Sequence, residues 1–479
     1  MAETVSADYL IVGAGGMGMA FIDTLLSETK ASIAIVDRYH RPGGHWTTAY
    51  PFVRLHQPSA FYGVNSKHLG QDKIDQIGWN KGLYELATSD EVCAYYSQVM
   101  NETFLPSGRV AYYPKHDYEG DGEFRSLVTG KTFRVGKNTR IVDATYMRVT
   151  VPSMRPPPYD VAHNVTVVTP NNLTKISRPY ANYTVVGAGK TGIDTCLWLL
   201  SMNLEPSQIT WIMPRDSWYM NRGTLQPGGA FAETRHSRVD ETNQAVMAAT
   251  SVEDLFKQLE ACGTLLRLTD QVWPTMFRCA TVSTAELEQI RRIKTVVRKG
   301  RVQRISADEV TLDGGKHTAV PDTIYIDCSA DGLAKEEAVP VFSGNRITLQ
   351  PVRYCQQVFS AAFISHVEAA YDDEGLKNDL CRPVPHPDDA IDWLIITLLT
   401  RRNALRWNTE PKTAAWLKLA RLNWFDIFVP ALPENPEQQR KAAQTFVAQI
   451  IALCEKLEKL LGTLTGKEGE SAMAQITRA

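Results

Sequence analysis

Asp8-Tyr-Leu-Ile-Val-Gly13-Ala-Gly15-Gly-Met-Gly18 decides the fold of this chain, and Tyr183-Thr-Val-Val-Gly187-Ala-Gly189-Lys190-Thr191-Gly192 repeats it. Each stretch begins with a short β-branched-rich apolar run that reads as a buried parallel strand. Each continues into apolar residues at helical spacing: Ile22, Leu25 and Leu26 after the first, Ile193, Leu197 and Leu200 after the second. A glycine trio between a strand and a helix has a physical use. The first glycine makes the turn, the second lets backbone approach a pyrophosphate, and the third lets helix and strand pack closely. Two such sites in one polypeptide predict two dinucleotides held so that electrons pass between them. Gly189-Lys190-Thr191 also mimics the end of a P-loop, but the glycine that motif needs at position 184 is Thr, which excludes a nucleotide triphosphatase.

The two sites differ downstream. Ser32-Ile-Ala-Ile-Val-Asp37 follows the first helix, and its terminal acid suits adenosine ribose hydroxyls and repels a 2′-phosphate. Gln208-Ile-Thr-Trp-Ile-Met-Pro-Arg215 follows the second, with Arg222 further on. Guanidinium groups there suit the 2′-phosphate of NADP. The first site is therefore expected to take an unphosphorylated dinucleotide and the second NADP(H). Past each glycine motif the chain enters a meander with Gly turns, then a strand ending in Asp143 or Asp327. This is the order expected of two copies of one architecture.

With these motifs in place, the chain resembles two-dinucleotide-binding-domain flavoproteins, most closely the flavin-containing (class B) monooxygenases. The resemblance rests on both fingerprints, on Pro42-Gly43-Gly44-His45-Trp46 after the ribose acid, and on Ala144-Thr145-Tyr146 and Ser329-Ala330-Asp331-Gly332 at the strand ends. It spans roughly residues 5 to 350. It implies an α/β fold of two Rossmann-like domains, one for FAD and one for NADP, with a helical C-terminal region. The expected boundaries are 1–172 and 326–380 for FAD, 173–325 for NADP, and 381–479 for the helical region. It implies FAD held by Gly13, Gly15, Gly18, Asp37, Arg38, Gly44, His45, Trp46, Asp331 and Gly332, and NADP held by Gly187, Gly189, Lys190, Thr191, Gly192, Arg215 and Arg222. Gln350 and Arg353 are further candidates for completing the flavin site. The implied chemistry is NADPH reduction of flavin, then oxygen insertion into a small organic molecule through a peroxyflavin sheltered by retained NADP⁺.

One signature of that family is not met. Its F-x-G-x-x-x-H-x-x-x-aromatic run corresponds here to Met154-Arg-Pro-Pro-Pro-Tyr-Asp-Val-Ala-His163-Asn-Val-Thr-Val167, without the glycine or the aromatic. Two other readings therefore stand beside monooxygenation: an NADPH:acceptor flavin reductase, and a non-catalytic redox sensor. Tyr50 to Tyr62, dense in polar and aromatic groups, reads as a loop lining the flavin pocket. Within it Arg54, His56 and Gln57 are the candidate catalytic residues. Arg54 would steer an anion, and His56 would exchange protons near neutral pH. Pro214 to Gly229 reads as a loop, in function a mobile flap over NADPH. In the tail, Gln438 to Leu464 carries an amphipathic stripe for a lid, a dimer contact or its own core. The last fifteen residues read as frayed.

Composition bounds the rest. The 479 residues, 44% hydrophobic and 22% charged with net charge −2, read as a globular protein with no electrostatic case for nucleic acid. Neither a signal peptide nor a membrane span is read, so the expected location is cytoplasmic and four Asn-x-Thr sequons are expected to be silent. Expected partners are the organic substrate and oxygen, with a homodimer as a candidate assembly. Eight scattered cysteines include no C-x-x-C. They are read as reduced core thiols, without a metal site and without the redox disulfide of thioredoxin reductases.

Overall fold

The computed structural model describes residues 2–330, 332–333, 336–424 and 435–478. The first fingerprint lies in a six-stranded sheet. Its order is Phe342–Ser343, Arg346–Thr348, Arg140–Asp143, Tyr9–Val12, Ile33–Asp37, Val110–Pro114. The second lies in a five-stranded sheet ordered Thr166–Val168, Thr323–Asp327, Asn182–Val186, Ile209–Ile212, Thr295–Val297. All pairings are parallel except the Phe342–Ser343 hairpin. Ile33–Asp37, Asn182–Val186 and Ile209–Ile212 are buried at every residue, as strands covered on both faces must be.

The internal repeat extends to single hydrogen bonds. Gly13 N–H donates to Val36 C=O (2.8 Å), and Gly187 N–H to Ile212 C=O (3.0 Å). On the other side, Ala144 N–H donates to Val12 C=O (3.0 Å), and Cys328 N–H to Val186 C=O (2.8 Å). In both units the fingerprint strand thus sits between the acid-ending return strand and the second strand. The meanders are also present, as His116–Gly120, Glu123–Ser126 and Thr132–Val135, and as Val302–Ile305, Glu309–Leu312 and Gly315–Thr318.

Several expectations are corrected. Thr166–Val168, expected in the first unit, adds a parallel edge to Thr323–Asp327 and so belongs to the second sheet. Pro214 to Gly229 is not a flap. Ser217–Asn221 is a strand between Leu265–Leu266 and Met276–Val282, and Trp218, Tyr219, Arg222 and Gln226 within the segment are fully buried. The end of the chain is not frayed: Gly466–Arg478 is a helix whose Ala472 is buried. The Pro436–Leu461 helix buries Leu453, Cys454, Leu457, Leu460 and Leu461 against Trp218, Phe256 and Trp393. Its more N-terminal Phe446 and Ile451 stay exposed. Among the described residues no helix is long and apolar enough to cross a membrane.

Two features shape the centre. The helix Gln357–Ala370, buried almost throughout, packs along Gly16–Glu28; Ser365 Oγ donates to Phe21 C=O (2.8 Å), and His366 pairs with Glu28 (2.7 Å). The pairing of Ser217–Asn221 with Met276–Val282 is irregular. Trp218 faces Phe277 and Met220 faces Thr281, so Arg278, Cys279 and Ala280 bulge between them.

Candidate active-site cleft

The two fingerprint turns open on one cleft of about 890 Å³. Gly13, Gly15 and Gly16 line it from the first unit, and Ala188, Gly189, Lys190 and Thr191 from the second. The helices behind them, Gly16–Glu28 and Lys190–Ser201, start on glycine N-caps without a side-chain cap. Their first N–H groups are therefore left for an anion. Gly18 and Gly192 instead press on the carbonyls of Gly13 and Gly187, where a Cβ would collide.

Asp37 is 5% exposed and lines the cleft. Its carboxylate accepts N–H groups from Ala14 (2.5 Å) and Tyr39 (2.7 Å). Burial pushes its pKa up while these two donors hold it down. Arg38 also lines the cleft, paired with Asp117 at 2.8 Å. Gly44 has φ +57, and a Cβ there would lie 2.9 Å from Gly15 Cα, so the Gly-Gly element leans on the first turn. His45 and Trp46 follow in the lining, with the Trp46 indole N–H donated to the Tyr62 hydroxyl (2.8 Å).

Arg54, His56 and Gln57 all line the cleft. Arg54 is exposed, with one long bond to Leu86 C=O (3.4 Å). His56 departs from expectation. Burial, with Lys190 and Arg222 nearby, lowers its pKa to about 3, so it does not exchange protons near neutrality. Its Nδ1 accepts Thr281 N–H (3.3 Å), which assigns the ring proton to Nε2. A base whose pKa falls on folding takes its proton only in the unfolded chain. Acidification from the ordinary 6.5 towards 3 therefore disfavours the folded state. His56→Asn is expected to soften the loss of thermal stability across that pH window, as read by melting temperature at stepped pH. An unchanged pH slope would contradict this.

In the second unit Lys190 is ion-paired with Asp194, which also accepts the Tyr50 hydroxyl (2.7 Å). This chain of groups ties the first unit's loop to the second unit's helix. Gly189→Ala separates fold from ligand. Gly189 has φ −77, and nothing lies within 4 Å of an added Cβ. The variant is expected to melt like the parent while its Kd for NADPH rises about tenfold, about 1.4 kcal/mol, because the methyl occupies the approach of the pyrophosphate. Equal Kd values by fluorescence titration would refute it.

Other expected site residues are placed elsewhere. Arg215 pairs with Asp389 (2.5 Å) and Asp388 (3.5 Å) and is absent from the cleft lining. Arg222 is fully buried on Glu286 and does not line the cleft. Gln350 bonds Val339 C=O (2.7 Å). The Arg353 guanidinium lies 3.7 Å from the Phe359 ring centroid and bonds Asn423 (2.5 Å). Asp331 lies outside the described residues, and the Gly332 backbone pairs with Thr150. His163 lies exposed in a turn and does not line the cleft.

Sequence reasoning missed a further part of the lining: Arg278, Cys279, Ala280, Cys355, Gln356 and Gln357. Cys279 and Cys355 form a disulfide, which corrects the expectation of reduced thiols throughout. They lie 76 residues apart, so no short motif announces them. The side-chain amides of Gln356 and Gln357 are buried without hydrogen-bond partners. Such groups in the lining of a cleft ask for a polar ligand. They open the Gln357–Ala370 helix, which also lacks a side-chain cap.

No protein-family model matches this chain. The uncharacterized protein Rv2000 of Mycobacterium tuberculosis is 52% identical over 464 residues, covering 97% of this chain and 86% of that protein. Among solved structures, an open crystal structure of cyclohexanone monooxygenase aligns at 12% identity and TM-score 0.48, covering 98% of both chains. An oxidized steroid monooxygenase bound to NADP aligns at 12% identity and TM-score 0.43, covering 93% of this chain and 98% of that one. These structural likenesses are distant, whereas the sequence likeness runs nearly end to end, and the chain belongs to the family of the mycobacterial protein Rv2000.

Proposed function

We propose that this protein is an NADPH-dependent FAD oxidoreductase whose electron acceptor is oxygen, one atom of which enters a small organic molecule. The observation that carries the reading is the meeting of two uncapped glycine-turn helices in one cleft. The residues present fit both groups. Asp37 would hold the ribose of FAD, and the turn at Gly13 to Gly16 its pyrophosphate. The unpartnered Gln356 and Gln357 amides would meet the polar edge of its ring system. Gly189 to Thr191 would take the pyrophosphate of NADPH. The end of Ile209–Ile212 offers no ribose acid of the Asp37 kind, which favours NADP over NAD. Bound flavin supplies two-electron transfer from nicotinamide and activation of oxygen.

The chain's own residues do the positioning. The Tyr50–Asp194 contact joins the loop of the first unit to the helix that follows the second glycine turn, and would help to orient the two groups. His56, held neutral with its proton on Nε2, offers a hydrogen-bond donor without adding charge. Arg54 offers an exposed cation at the cleft rim. A second reading, transfer to an acceptor other than oxygen, is favoured by the Cys279–Cys355 pair in the same cleft.

A stopped-flow trace tests the proposal. Purified holoprotein is reduced with NADPH without oxygen, then mixed with oxygenated buffer. An absorbance band intermediate between reduced and oxidised flavin is the expected result. Direct return to the oxidised spectrum across a panel of ketone, amine and thioether substrates would move the reading to acceptor reduction. Absence of bleaching by NADPH would remove the reading altogether.

A further inference from the structure

Cys279 and Cys355 come from different units. Cys279 sits in the bulge of Met276–Val282, and Cys355 directly precedes the buried glutamines that open Gln357–Ala370. Their Cα atoms are 6.5 Å apart, within the ordinary span of a disulfide. Both line the cleft shared by the two fingerprint turns. Cys279 itself adopts backbone that L-residues seldom take, with φ +55, and so does Tyr354, the neighbour of Cys355, with φ +37. Backbone of this kind concentrates where function demands it.

A stapling role accounts poorly for these facts. Disulfides that replace a missing core belong to small domains, and here the surrounding core is large. A staple also has no need to face a cleft. Cys328 lines the same cleft but differs in kind. It is buried against Thr195 (3.3 Å) as a free thiol, and burial raises its pKa well above the ordinary value.

We propose that Cys279 and Cys355 are a redox pair of this cleft, opened by two electrons that NADPH delivers through the bound flavin. The balance is disulfide + NADPH + H⁺ giving two thiols and NADP⁺. The S–S bond breaks, one electron pair arrives as the hydride of NADPH, and the second proton comes from solvent. This rests on the NADPH–flavin reading above and is indifferent to whether oxygen is the final acceptor. Reduction would also release the disulfide cross-link between the strand Met276–Val282 and the residue just before the pair of glutamines that open the helix Gln357–Ala370.

The test is an anaerobic reductive titration of purified holoprotein, with alkylation and mass spectrometry at each point. The expected uptake is about four electrons per flavin, two for the ring system and two for the pair. Alkyl groups should appear together on Cys279 and Cys355, and C355S should take up two electrons. Bleaching of flavin by NADPH with a two-electron uptake and no new labels would overturn the proposal while leaving the NADPH reading intact. Labels on both cysteines before any reductant would overturn it as well. If NADPH does not bleach the flavin, that reading fails by itself, and reduction of the flavin by light with EDTA decides whether the pair opens. A protein without flavin refutes both.

Discussion

Gly13→Ala is expected to yield a folded protein that purifies with little or no flavin. Gly13 has φ +103, where an L-side chain is strained, and its added Cβ would lie 2.9 Å from Thr145 Cγ2. Strain of this kind costs about 1–3 kcal/mol. The chain relieves it by shifting the turn, and the turn carries the site. Gly13 N–H is bonded to Val36, and the next N–H, of Ala14, is bonded to Asp37. A shift therefore disturbs both the phosphate turn and the ribose acid. If the strain is relieved by losing the ligand, affinity for FAD falls about tenfold to a hundredfold. The ratio of flavin to protein absorbance after purification reads the loss. A full complement of flavin in Gly13→Ala would exclude FAD from the first turn. Gly189→Ala is the contrasting case, because there the protein has room and only the ligand is displaced.

The glycine turns were legible because their physics is local. Strand, turn and helix lie within about a dozen residues, and each glycine answers to a neighbour close in sequence. Asp37 was legible for the same reason, since it ends the next strand. Gly44 was found only through the resemblance, yet its contact with Gly15 gives a steric reason for it. The rest of the lining was hidden because the fold assembles it from distant parts. A β-bulge brings Cys279 forward, and Cys355 arrives 76 residues later. Gln356 and Gln357 are unremarkable in composition, and only burial without partners marks them. Charge was the least legible property. Arg215 was read as a phosphate ligand because it follows a strand, but its acids, Asp388 and Asp389, lie far along the chain. His56 was read at its ordinary pKa, and its burial could not be seen in sequence.

Arg222 makes the point most sharply and gives the largest expected effect on stability. In sequence it sits among glycines, prolines and polar residues, and reads as a loop cation for NADP. In the fold its side chain is 1% exposed and pairs with Glu286 at 2.8 Å. Its remaining donors are directed to His56 C=O (2.9 Å), Asn80 Oδ1 (3.1 Å) and Thr281 C=O (3.3 Å). All four of these partners come from parts of the chain distant in sequence. Arg222 therefore fastens the 56–80 region of the first unit to the second. Breaking a buried pair from one side leaves an uncompensated charge, at a cost of about 3–5 kcal/mol. Arg222→Met is expected to lose that much stability, read as a lower and broader melting transition. The preference of NADPH over NADH should be unchanged in whatever protein remains folded. Glu286→Gln in the same chain should recover part of the loss, since it removes the stranded carboxylate. Glu286 also closes the capping box of the Thr284–Ile290 helix with Ser283, so recovery cannot be complete. A variant that melts like the parent but no longer distinguishes NADPH from NADH would return Arg222 to the nucleotide site.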